Sequence, residues 1–168
     1  MVRERNTIKS IIVSQVSVLT QPLPEALKAA PEATRIAHSP TSNQLAVGYG
    51  DGSIRLWDPS SSECLVVLSG HRSAVTALAY NADGSQLASG SQDTDIILWD
   101  AVGETGLCKL RAHTDQVTDV CFLDEVNMLV SGSKDGGVRV WDLSLRHCCQ
   151  YIPVHVGTNS SGSQLLLR

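Results

Sequence analysis

A 42-residue period, a Trp-Asp pair at the same point of each period, and short apolar runs separated by turn residues predict an all-β fold. It is built from three repeated four-stranded antiparallel units. The stretch LAVGYGDGSIRLWD (45–58) returns as LASGSQDTDIILWD (87–100) and again as LVSGSKDGGVRVWD (129–142). The pairs Trp57-Asp58, Trp99-Asp100 and Trp141-Asp142 hold every tryptophan of the chain. Asp51, Asp93 and Asp135 keep the same spacing, as do His71, His113 and His155. AVTALAYNADGSQL (74–87) aligns without gaps on EATRIAHSPTSNQL (32–45) and on QVTDVCFLDEVNML (116–129).

Each unit resolves into four strands, most clearly in the middle one. AVTALAY (74–80) alternates in polarity and is the first strand. NADG (81–84) is turn chemistry, its Asp-Gly suited to a tight hairpin. QLASGS (86–91) is the second strand and QDTD (92–95) the next turn. IILW (96–99) is the third strand, apolar on both faces as a strand held between neighbouring sheets is. GLCKLRAH (106–113) is the fourth and leads into the next unit. Four short antiparallel strands in such a period make a propeller blade. Propellers close with about four to eight blades, so three units predict an incomplete β-propeller. Such an open arc exposes apolar sheet at both end faces. IKSIIVSQVSVL (8–19) could add strands toward a fourth blade, although no turn or Trp-Asp mark accompanies it. The expected organisation is a segment of uncertain structure at 1–29, three repeats of a partial propeller at 30–155 and a tail at 156–168.

Composition narrows the function. The chain has 168 residues, 42% hydrophobic and 18% charged, with a net charge of −4, which is globular composition. Residues 30–142 carry 15 acidic against 7 basic side chains, so the blades are acidic and the flanks basic. That balance argues against binding built on neutralising nucleic-acid phosphates. No apolar run approaches the roughly 20 residues of a membrane span. Arg3, Arg5 and Lys9 precede an apolar patch, but Glu4, Ser14, Gln15 and Ser17 interrupt the pattern of a targeting peptide. Five cysteines at irregular spacing read as reduced thiols of an intracellular protein. Cys64 and Cys148 are expected as small packed fourth-strand residues, and RHCCQYIPVH (146–155) does not space its ligands as a zinc site would. Gly48, Gly50 and Gly52 lead into a strand and lack both the helix of a dinucleotide loop and the Gly-Lys-Ser/Thr of a P-loop. They read as turn glycines flanking Asp51. No cofactor or metal is expected.

The repeated Trp-Asp pairs, with Asp and His in register, resemble the WD-repeat (WD40) family over about residues 30–155. The resemblance implies a WD40-type β-propeller whose blades are each tied by a polar network. In the middle blade the matching residues are His71, Ser91, Asp93 and Trp99; in the next they are His113, Ser133, Asp135 and Trp141. Trp can only donate, a serine hydroxyl donates and accepts, and Asp fixes the imidazole, so the set leaves few buried polar groups unpaired. His, Ser and Asp also suggest a catalytic triad, but a set repeated at two blades and locked to a tryptophan belongs to the scaffold. No catalytic residue is expected. The first unit departs from the pattern, with Tyr49 at the expected serine position and Ala29 at the histidine position, and is expected to be the least rigid blade.

Within the family, LASGSQDTDIILWDAVGETGLCKLRAHTDQVT and GSKDGGVRVWDLSLRHC look like early blades of the large WD-repeat subunit of the small-subunit processome. That is the nucleolar particle carrying the small nucleolar RNA that guides 18S rRNA maturation. Asp93-Thr94-Asp95-Ile96 and Glu104-Thr105-Gly106-Leu107 are its most specific pieces. The resemblance implies a non-catalytic protein-interaction scaffold in small ribosomal subunit biogenesis, located in the nucleolus. Its partners would be processome subunits, with small nucleolar RNA or pre-rRNA reached only indirectly, no membrane, and self-association through the open propeller ends. The expected contact loops carry Arg72, Gln92, Thr114, Asp115 and Lys134. The alternative is a WD-repeat adaptor of another complex, such as a ubiquitin ligase or a signalling assembly.

Overall fold

A computed structural model describes residues 31–154. These form twelve strands in three separate four-stranded antiparallel sheets. The first holds β1 (Ala33–His38), β2 (Leu45–Tyr49), β3 (Ile54–Asp58) and β4 (Glu63–Leu68). The second holds β5 (Val75–Tyr80), β6 (Gln86–Ser91), β7 (Ile96–Asp100) and β8 (Thr105–Leu110). The third holds β9 (Val117–Leu123), β10 (Met128–Ser133), β11 (Gly137–Asp142) and β12 (His147–Pro153). Strands follow one another in spatial order within each sheet, so every connection inside a blade is a hairpin. Among the described residues the arc stays open. The assignments concerning residues 8–19, Ala29 and His155 lie outside the described residues.

The blades stack through two apolar layers. Ala46, Ile54, Leu56 and Leu68 of the first blade meet Val75, Leu87, Ile97 and Trp99 of the second. Ala77, Ala88, Ile96, Leu98 and Leu110 of the second meet Val117, Val120, Leu129 and Trp141 of the third. Trp99 and Trp141 therefore each pack onto the preceding blade. Strand β7 lies between both layers, and its four apolar residues are all buried. Its counterparts β3 and β11 are buried on fewer positions, because among the described residues each has a neighbouring blade on one side only. Ile36 and Val67 on one end blade and Ile152 on the other are exposed apolar residues.

Glycines set how closely the blades approach. Gly48 lies within β2, not in the turn, which corrects the reading of three turn glycines. A Cβ built on it would fall 2.6 Å from Val75 Cγ1. Gly90, one period later, is pressed in the same way by Val117. The close approach lets Thr34 Oγ1 donate to Val75 O at 2.6 Å, and Thr76 Oγ1 to Val117 O, tying each inner strand to the next. At Gly132, the third member, a Cβ would meet only Thr118 Oγ1 at 3.3 Å.

Candidate functional site

The alternating strand directions bring the residue 69–74 and 111–116 loops and the β2–β3, β6–β7 and β10–β11 turns to one rim of the blades. The polar network hangs beneath this rim. In the second blade Trp99 Nε1 donates to Ser89 Oγ at 2.8 Å, and Ser89 Oγ lies 2.8 Å from His71 Nε2. His71 Nδ1 lies 3.2 Å from Asp93 Oδ1. The third blade repeats the set: Trp141 Nε1 to Ser131 Oγ at 2.8 Å, Ser131 Oγ to His113 Nε2 at 2.7 Å, and His113 Nδ1 to Asp135 Oδ2 at 2.8 Å.

The donors fix the direction of the chain. Indole can only donate and carboxylate only accept. The serine therefore accepts from Trp and donates to Nε2, leaving the imidazole neutral with its proton on Nδ1, facing Asp. Electrostatics agree. Burial pulls both histidines below the ordinary value, and Asp93 and Asp135 only partly oppose it. Burial pushes the Asp93 carboxyl up, but donation from the Arg72 N–H, the nearby His71 and the Asp95 N–H outweigh it and hold it low. Asp135 is likewise raised by burial and lowered more by His113 and the Thr114 and Gly137 N–H groups.

The serines of the network are thus Ser89 and Ser131, not Ser91 and Ser133. Ser89 and Ser91 point to the same face of β6, two residues apart. Ser89 stands opposite Ile97, within reach of the indole of Trp99, whereas Ser91 ends the strand. There Ser91 Oγ donates to Ser73 O at 3.0 Å and accepts the Asp93 N–H at 3.1 Å. Ser133 does the same for Asp115 O and the Asp135 N–H. The second serine braces the turn that carries the aspartate. In the first blade the position equivalent to Ser89 is Val47, not Tyr49. Trp57 Nε1 is buried there and has no hydrogen-bond partner among the described residues.

Ser89 and Ser131 are 0% and 1% exposed, and each hydroxyl already serves a tryptophan and a histidine. The arrangement has the order of a catalytic triad without a substrate's access to its serine. The loop residues are exposed and do meet at one rim. Arg72 and Thr114 present their side chains while their N–H groups donate to Asp93 Oδ2 at 2.7 Å and Asp135 Oδ2 at 3.1 Å. Gln92 Oε1 accepts from Ser73 Oγ at 3.2 Å. Asp115 and Lys134 stand exposed at the same rim, beside the third blade. Cys64 is exposed, which corrects its reading as a packed residue; Cys148 packs at the edge of the second apolar layer. Strand reading missed Asp95 and Arg111, which lie 3.3 Å apart at this rim.

Residues 10–161 match the family described as the WDR3 first beta-propeller domain. The chain belongs to the WDR3 first β-propeller family. The match takes in all twelve strands of the described residues. Among solved structures, "Structure of U3-55K" and "Crystal structure of RRP9 WD40 repeats" each superimpose with a TM-score of 0.71 at 27% identity. Each likeness covers 75% of this chain and 40% of the solved one. Polyadenylation factor subunit 2 of Gibberella zeae is 40% identical over 45 residues, 27% of this chain and 7% of that protein. This WDR3-family chain thus spans well under half the length of these relatives.

Proposed function

We propose that the chain is a non-catalytic docking scaffold in small ribosomal subunit biogenesis, acting in the nucleolus with subunits of the small-subunit processome. The observation that carries this reading is membership of the WDR3 first-propeller family over residues 10–161. The likeness to the U3-55K and RRP9 propellers supports it. The site chemistry agrees. The only His-Ser-Asp sets among the described residues are sealed and consumed by blade packing, while the rim above them offers exposed polar side chains on braced loops. Contact with small nucleolar RNA or pre-rRNA runs through partner proteins, because the blades are acidic.

Affinity capture of the tagged full chain from nuclear extract tests this. Recovery of processome subunits with 18S precursor RNA is the expected result. Recovery of neither by a folded preparation contradicts it, and enrichment of ubiquitin-ligase or signalling subunits would favour an adaptor role instead.

A further inference from the structure

Three side chains of the middle blade form a set that the other blades lack. The Asp95 side chain, in the β6–β7 turn, is 4% exposed. Arg111 Nε approaches its Oδ1 at 3.3 Å, and Arg72 Nη2 approaches its Oδ2 at 3.8 Å. Oδ2 is buried without a hydrogen-bond partner among the described residues. The two arginine side chains are 66% and 73% exposed. One period away, Asp95 is replaced by Ser53 and Gly137, Arg111 by Ser69 and Pro153, and Arg72 by Ala30 and Thr114. The Trp-Ser-His-Asp network recurs in the third blade because packing requires it; a set confined to one blade is not required by packing. The turn is also strained. Thr94 takes φ 73°, where Gly52 and Gly136 occupy the equivalent left-handed positions. A β-branched residue is disfavoured there, and such strain gathers at functional sites.

The chemistry of the set is specific. One sunken carboxylate anchors two guanidiniums arriving from the loops on either side of the blade. It neutralises one positive charge of two and leaves their outer N–H edges facing solvent. Planar N–H forks of this kind bind carboxylate or phosphoryl oxygens in pairs. We propose that Arg72 and Arg111, held by Asp95, dock an oxyanionic side chain of a partner protein: a glutamate, an aspartate or a phosphoserine. This rests on the scaffold reading and names the chemistry of its partner. A nucleic-acid backbone fits less well, since it needs a basic stripe. Asp93, Asp115 and Asp135 flank the pair along the rim.

The test uses the full 168-residue chain and three fluorescein-labelled peptides, identical except for two central glutamates, phosphoserines or glutamines. Fluorescence anisotropy at low salt should show binding of the glutamate or phosphoserine peptide and not of the glutamine peptide. The tighter of the two acids identifies the source of the oxyanion. Arg72→Gln and Arg111→Gln should each weaken binding by about fivefold. Arg35→Gln, removing an exposed arginine of the first blade, should leave it unchanged. Three results overturn the proposal: no binding of either acidic peptide, an equal loss with Arg35→Gln, or binding of single-stranded RNA with none of the peptides. Affinity capture separates this failure from that of the scaffold reading. Equal recovery of processome subunits by the wild type and the Arg72→Gln/Arg111→Gln variant removes the site and keeps the scaffold. No recovery by the wild type, with arginine-dependent peptide binding intact, removes the scaffold role and keeps the site.

Discussion

Trp99 donates its indole N–H to Ser89 at 2.8 Å, and through that one hydroxyl the third strand of the blade is tied to His71 in the loop before its first. The pair should be energetically coupled. In a double-mutant cycle by urea unfolding, Ser89→Ala with Trp99→Phe should show a coupling of about 0.5–3 kcal/mol, as residues sharing a network do. Ser91→Ala with Trp99→Phe should be additive within about 0.5 kcal/mol, because Ser91 shares no hydrogen-bond partner with Trp99. Coupling at Ser91 in place of Ser89 would reverse the assignment of the network.

Trp57 supplies the contrast. Among the described residues its indole N–H is buried unpaired, in a blade that has Val47 where the others have serine. Replacing Trp99 by Phe leaves the buried Ser89 oxygen without its indole donor, a loss of roughly 1–3 kcal/mol from the unpaired group alone. Replacing Trp57 by Phe removes an unsatisfied donor and should cost less. Equal urea midpoints for the two variants would count against the described environment of Trp57.

Acid should destabilise the blades in two stages. Burial lowers the values of His71 and His113 in the folded chain, so the unfolded chain takes up their protons first. Their contribution is complete above about pH 6.5 and is lost as pH falls through the lower folded values. The slope from the two cannot exceed about 2.7 kcal/mol per pH unit. Asp93 and Asp135 are also held below the ordinary carboxylate value of 3.8, so their contribution persists until stronger acid and fails only below that value. Thermal midpoints measured from pH 8 to pH 2 should show both stages, and His71→Gln should shrink the first.

The glycine series reads the open end of the arc. Gly90→Ala drives a methyl group into Val117 and should cost about 1–3 kcal/mol as overpacking. Gly132→Ala meets no neighbouring blade among the described residues and should change the unfolding free energy by about 0.5 kcal/mol or less. A loss at Gly132 matching that at Gly90 would show that another blade, such as that of a second copy, covers this face in solution.

Much of this was legible in the sequence because a strict period carries both fold and register. QLASGS matches β6, and IILW fills the doubly buried β7 within one residue. The His, Asp and Trp positions of the network follow from spacing, since each recurs at the same point of the 42-residue period. The serine did not, because Ser89 and Ser91 recur together and share a face; only the pairing of Ser89 with Ile97 shows which one meets the indole. Arg111 and Asp95 escaped because their meeting depends on where two loops from opposite sides of a blade converge, which no local pattern records. Asp95 alone gave a signal, as the second aspartate of a turn that has Ser or Gly in the other repeats.

The proposed scaffold role places this chain inside a precursor ribosomal particle. Sedimentation of nuclear extract on a glycerol gradient, followed by detection of the chain and of 18S precursor RNA in each fraction, tests it most directly. The chain should travel with the precursor in fast-sedimenting fractions and leave them when the particle is dissociated. A folded chain found wholly at the top of the gradient, apart from the precursor, would contradict it.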